Sequence, residues 1–155
     1  MNGEATTTEF WARHLSDVVN PLIHFVPSRW LDIEALRRAG DELEFVFFHV
    51  DASDVQSDSA LLDAFAEAMN FPSHFGHNWD ALYDLLCDLS WIPQRRVVII
   101  HECLSSQLTD QELRTYLEIL IDAVKSWGPN ENHELAAIFP LNSQERVREL
   151  LKMPS

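Results

Sequence analysis

Val97-Val98-Ile99-Ile100-His101 is the stretch on which the fold turns. A strand with one wet face alternates apolar and polar residues, whereas this run is apolar on both of its faces. It therefore predicts a strand buried on both faces of its sheet, the pattern of parallel sheets. Working downstream, Thr109-x-x-Glu112 is a capping box that opens a helix with Leu113, Tyr116, Leu117, Leu120 and Val124 on one stripe, ended by Gly128-Pro129. Leu135 to Phe139 reads as the last strand, and Ser143 as the cap of a final helix reaching about Lys152.

Upstream, helical spacing spans Asn78 to about Leu89, and Asp58 to Met69 with Leu61, Leu62, Phe65 and Met69 inward, closed by Asn70 and Pro72. Glu44 to Val50 is a strand rich in Val and Phe. Trp30 to Ala39 reads as a helix with Gly40 as its left-handed terminator, and Leu22 to Val26 as a short buried strand. Thr8 caps a first helix through about Asn20, with Phe10, Trp11, Leu15, Val18 and Val19 inward and Pro21 as its stop. Helices alternating with strands imply an α/β fold in three layers, with a mainly parallel sheet of three to four strands and helices packed on it.

The 155 residues are 46% hydrophobic and 23% charged, enough to bury one core without staples, so a single domain over 1–155 is expected. Cys87 and Cys103 have no CxxC spacing and suit free thiols in a reducing compartment. No signal-like segment and no apolar run near the ~20 residues of a membrane span is present, so a cytoplasmic protein without membrane contact is expected. The 25 acids against 11 Lys and Arg give a formal charge of −14, which argues against direct nucleic-acid binding. Between Arg38 and Arg95 there are eleven acids, from Asp41 to Asp88, and no Lys or Arg. Such a field attracts a cationic partner.

The densest chemistry lies in His74-Phe75-Gly76-His77-Asn78-Trp79-Asp80-Ala81-Leu82-Tyr83-Asp84, continuing to Asp88. Gly76 stands where the chain must turn, with a positive φ as one way to do so, and Asn78 is placed as the N-cap. Asp80 in the first turn is accounted for by the helix dipole. Asp84 and Asp88 are not: with Asp80 they make an i, i+4, i+8 row on one face, a like-charge arrangement that destabilises an isolated helix by roughly 0.2–0.5 kcal/mol per pair. Tyr83 borders the row, and Leu82, Leu85, Leu86 and Leu89 face inward. Either the row is a solvated face whose tertiary neighbours include Arg95 or Arg96, or it is kept for a cationic partner.

The run from Phe71 through Asp84 resembles the signature of barstar-like proteins, Tyr/Phe-Gly-x-Asn-Leu/Trp-Asp-Ala-Leu-x-Asp, and the similarity extends through Asp88-Leu89-Ser90-Trp91. The resemblance spans about Glu44 to Phe139. It implies a family core at 44–139, an N-terminal extension at 1–43 packed on that core, and a C-terminal helix at 143–152. It also implies a ribonuclease inhibitor of the immunity type, not an enzyme, which blocks the active site of a basic ribonuclease toxin with an acidic helix. By the resemblance Asp80 and Asp84 match the family's two aspartates and Tyr83 the aromatic between them. Gly76 and Asn78 match the loop, Trp79 the next apolar contact, and His74 an aromatic position ahead of Phe75. Phe75 and Asp88 complete the expected partner-binding set.

Two departures stand out: His74 replaces an aromatic, and the family's acid on the later helix has Asp122 and Glu118 as alternative counterparts. The other functional class is an acidic protein-binding module, possibly a nucleic-acid mimic, for some other basic partner. No cofactor is expected. His74-x-x-His77 and His101-x-Cys103 lack the spacing of a closed zinc site. His101 with Cys103 has no readable third orienting group or oxyanion loop, so strand-end packing is the expectation there.

Overall fold

The computed structural model describes residues 6–16, 23–128 and 131–152. In chain order these form α1 (Thr7–Ser16), β1 (Ile23–Val26), a 3₁₀ turn (Ser28–Trp30), α2 (Ile33–Leu43) and β2 (Phe45–Val50). There follow α3 (Asp58–Met69), α4 (Trp79–Leu86), β3 (Arg96–His101), α5 (Asp110–Ser126), β4 (Glu134–Pro140), a second 3₁₀ turn (Leu141–Ser143) and α6 (Gln144–Leu151). The fold is α/β, with a four-stranded sheet in the order β1-β4-β3-β2. Every neighbouring pair is parallel; Ile99 of β3, for example, lies opposite Phe48 of β2 and Ala137 of β4.

The apolar run of β3 is buried from Val97 to His101, and its residues alternate between two cores as a period of two requires. Val97 and Ile99, with Leu135, Ala137 and Phe139 of β4, pack against Leu61 and Phe65 of α3, Leu82 and Leu86 of α4, Leu117 and Leu120 of α5 and Val147 of α6. Val98, Ile100 and Ile138 face the other way, onto Trp11 and Leu15 of α1 and Leu36 and Ala39 of α2. The first 43 residues thus supply the edge strand β1, beside β4, and a helical layer over the second face of the sheet.

Several local assignments differ from the sequence expectation. Thr6 rather than Thr8 opens α1, its Oγ1 accepting the Glu9 N–H at 3.1 Å. The expected stretch of that helix to Asn20, with Pro21 and Leu22, lies outside the described residues, as does Pro129. Helix α2 begins later, with Asp32 accepting the Ala35 N–H at 3.0 Å, and runs through Gly40 to Leu43. Its left-handed terminator is Glu44, at φ 61°. Gly40 has a different purpose: a Cβ there would stand 2.7 Å from the Phe45 carbonyl oxygen, so glycine lets α2 lie against the start of β2. Ser143 does not cap α6; its hydroxyl donates to the Pro140 carbonyl at 2.7 Å. The Thr109 capping box and the Asn70 terminator of α3 (φ 52°) form as expected.

Candidate partner-binding site

Helix α4 is eight residues long, and its N-terminus is fixed by Asn78, whose side chain accepts the Ala81 N–H at 2.8 Å. The left-handed residue of the preceding turn is His77 (φ 53°), not Gly76. Gly76 is exposed, and a Cβ there would meet only ordinary contacts at 3.5 and 3.6 Å. Phe75, expected to face a partner, is instead buried in the core and supports the loop from within, 4.9 Å from the Phe71 ring, while His74 is exposed. Trp79 is half-buried, 6.2 Å from the Tyr116 ring of α5.

Leu82, Leu85 and Leu86 bury one side of α4, which leaves Asp80 and Asp84 exposed one turn apart on the other. The three-acid row is not formed. The helix ends at Leu86, and Asp88 lies beyond it, accepting the Ser90 hydroxyl at 2.8 Å. The chain leaves the helix through Leu89, a fully buried leucine at φ 52° whose N–H returns to the Leu85 carbonyl at 3.0 Å.

Tyr83 is half-buried beside the acids. The Cys87 thiol one turn on, and then the Asp122 and Asp84 carboxylates, hold its hydroxyl above the ordinary phenol range. Asp122 is an exposed residue of α5, so that helix contributes an acid next to Tyr83. Of the two residues left open for the later helix, Asp122 is the one whose charge acts on Tyr83.

The nearest cations in sequence do not neutralise this face. Arg95 and Arg96 both bind Glu134, at 3.2 and 3.1 Å. Among the described residues Asp80, Asp84 and Asp122 have no ion-pair partner. The arrangement holds carboxylates on rigid elements as acceptors for cationic donors. The other candidate cluster is structural: His101 stacks on Phe139 (4.0 Å between centroids, planes 7° apart), its Nδ1–H donates to the Ile138 carbonyl at 2.9 Å, and its Nε2 accepts the Tyr116 hydroxyl. Both ring nitrogens are used, leaving none for Cys103. The two cysteines are free and half-buried.

The family model described as Barstar (barnase inhibitor) matches residues 45–139. The chain belongs to the Barstar family. In this member, β2, α3, α4, β3, α5 and β4 up to Phe139 lie within the matched stretch, whereas α1, β1, α2 and α6 lie outside it. Members of the family are ribonuclease inhibitors rather than enzymes. No curated protein matches the chain. Among solved structures it is similar to the Aeropyrum pernix ORC2 protein (ADPNP–ADP complexes), at 12% identity and a TM-score of 0.61. That match covers 98% of this chain and 45% of the ORC2 chain, and it speaks to the fold alone.

The contacts missed in the sequence are those that cross between elements. Asp63 of α3 binds His77 at 2.9 Å, and the Trp127 indole donates to the Leu86 carbonyl at 2.9 Å. No local pattern announces either one.

Proposed function

We propose that this Barstar-family chain is an immunity-type inhibitor that plugs the active site of a basic ribonuclease toxin with α4. Asp80 and Asp84 occupy positions that the nuclease reserves for phosphates, Tyr83 and Trp79 exclude water from the contact, and Asp122 extends the acidic face. Gly76, Asn78 and His74 flank the contact from the preceding loop, and Asp88 lies at its far margin. The chain carries out no chemistry of its own and acts in the cytoplasm, a compartment that keeps thiols such as its two free cysteines reduced. One observation carries the reading: Arg95 and Arg96 are committed to Glu134, and among the described residues no cation pairs with Asp80 or Asp84.

A ribonuclease binds a polyanion and so presents Arg, Lys or His where phosphates sit. Two carboxylates one turn apart on a fixed helix supply charge-assisted acceptors to such groups. Removing one partner of a buried, paired charge costs ~2–5 kcal/mol, mostly in dissociation rate, whereas removing a rim charge mainly alters association. The test is capture from the native host followed by inhibition of the captured nuclease. Loss of nuclease activity at equimolar inhibitor, with Asp84→Ala weakening binding at least 30-fold and Glu67→Ala less than threefold, is the expected result. Capture of only non-nuclease basic proteins points instead to an acidic binding module on the same scaffold.

A further inference from the structure

His77 is a bulky residue in the left-handed region, at the one position between the turn and the N-cap of α4. Such a conformation persists only where surrounding structure holds it. Two groups do so here. The Phe75 ring lies 4.7 Å from the imidazole, and Asp63 Oδ1 of α3 accepts the Nδ1–H at 2.9 Å. Asn78 follows immediately and caps α4, so the dihedral angles at His77 pass directly into the direction of the helix.

We infer that Asp63 and His77 form a latch between α3 and the loop, and that both are positioning residues for the acidic face. The inference rests on the partner-binding reading above. His77 fills the variable position between Gly76 and Asn78 of the motif, so the latch belongs to this chain and is not dictated by the motif. Both side chains are exposed, at 55% and 64%, so solvent weakens the bond and the latch trims the loop ensemble rather than creating it. Asp63 also selects a tautomer. Neutral His77 must carry its proton on Nδ1 to donate to the carboxylate, and the imidazolium donates from the same atom.

The free protein supplies the first readout. Imidazole ¹⁵N NMR is expected to show His77 as the Nδ1–H tautomer, changing to Nε2–H in Asp63→Leu and retained in Asp63→Asn, which keeps an acceptor oxygen. In Asp63→Leu the amides of residues 76–81 exchange three- to tenfold faster. A His77→Gly variant keeps a backbone that accepts φ 53° and removes the imidazole, so loss of the latch is separated from loss of the turn. With barnase as the probe nuclease, Asp63→Leu and His77→Gly each weaken inhibition three- to tenfold, and the double variant no more than the weaker single one. Failure of the wild type to inhibit barnase counts against the functional reading, while the tautomer and exchange measurements still decide the latch. An Nε2–H tautomer in the wild type, or loop exchange unchanged by Asp63→Leu, overturns it.

Discussion

Acid should destabilise this protein through its buried histidines before its carboxylates protonate, and His101 is the group to perturb. Burial lowers its pKa to about 4 against the opposing effect of the Ile138 carbonyl, with the charge of His49 adding to the lowering; the ring also meets the Tyr116 hydroxyl and stacks on Phe139. Burial, and then the charge of His14, lower His24 to about 4 as well. Above the unfolded-state value of about 6.5 both states are neutral and stability is fully present. As the pH falls from 6.5 towards 4, the unfolded chain takes up a proton that the folded chain refuses. Stability then drops by ~1.4 kcal/mol per pH unit for each such group. Below about 4 the native ring protonates too and the slope flattens.

Integrated over that window, His101 alone accounts for on the order of 3 kcal/mol, a large share of the ~5–15 kcal/mol of a typical domain. Asp51, held down by the Ser53 side chain, and Glu112, held down by the Thr109 backbone N–H, act in the same direction but only below the ordinary carboxylate range. The window from pH 6.5 to 4.75 therefore isolates the imidazoles. Relief of self-repulsion works the opposite way, because a chain at −14 loses charge on acidification. The discriminating assay is urea denaturation at pH 7.5, 6.5, 5.5 and 4.75, at constant ionic strength, for wild type and His101→Gln. Gln offers a donor for Ile138 and an acceptor for Tyr116 but does not titrate. The variant is less stable at pH 7.5, since it loses the ring stack, yet its stability falls with acid by ~1.4 kcal/mol per unit less than wild type. Equal slopes for the two proteins would refute the assignment of the acid limb to His101.

Two further outcomes follow from the geometry. Gly40→Ala gains ~1 kcal/mol of helix propensity but sets a Cβ at 2.7 Å from the Phe45 carbonyl oxygen, a backbone atom with little room to yield. The net is a loss of ~1–2 kcal/mol, read as a lowered urea midpoint at unchanged m. Trp127→Phe removes the indole donor from the Leu86 carbonyl and costs ~0.5–1.5 kcal/mol. Its signature is faster exchange of the Cys87 and Leu89 amides at the end of α4, where a uniform increase across the protein would show that the indole bond has no local role.

The sheet was legible because its signals are periodic and local. Four β-branched residues in a row at Val97 to Ile100 leave no polar face, and the Thr109 capping box is written within four residues. The errors share another cause. The sequence offers Gly40 as a left-handed helix terminator and Gly76 as a turn with room for a positive φ, yet the positive φ values fall one to four residues later, at Glu44 and His77. Gly40 is needed for close approach to a strand, which is tertiary information. The i, i+4, i+8 spacing of Asp80, Asp84 and Asp88 was correct as spacing, but it could not show where the helix stops. That end is set by Leu89, buried at φ 52°, where no glycine marks the turn. The acidic face of α4 was therefore visible, its length was not, and its neighbour Asp122 became identifiable only once α5 was placed beside it.

The tryptophans explain how so short a helix can hold an unfavourable charge pair in one place. An isolated helix of eight residues is unstable in water, and Asp80 and Asp84 repel each other along it. Its order must come from outside. Leu82, Leu85 and Leu86 anchor one side, Asn78 fixes the first turn, and Trp127 takes the Leu86 carbonyl at the last. The same device recurs at the end of α3, where the Trp91 indole donates to the Met69 carbonyl at 3.0 Å, and at the first 3₁₀ turn, where Trp11 donates to the Trp30 carbonyl at 3.1 Å. Each indole buries an apolar body and satisfies a carbonyl that the helix end leaves unpaired. Because α4 is restrained at both ends, the repulsion between its acids cannot be relieved by fraying or bending. It persists in the free protein as an electrostatic preference that a cationic surface can satisfy, and the scaffold orders the carboxylate acceptors of α4 before any partner arrives.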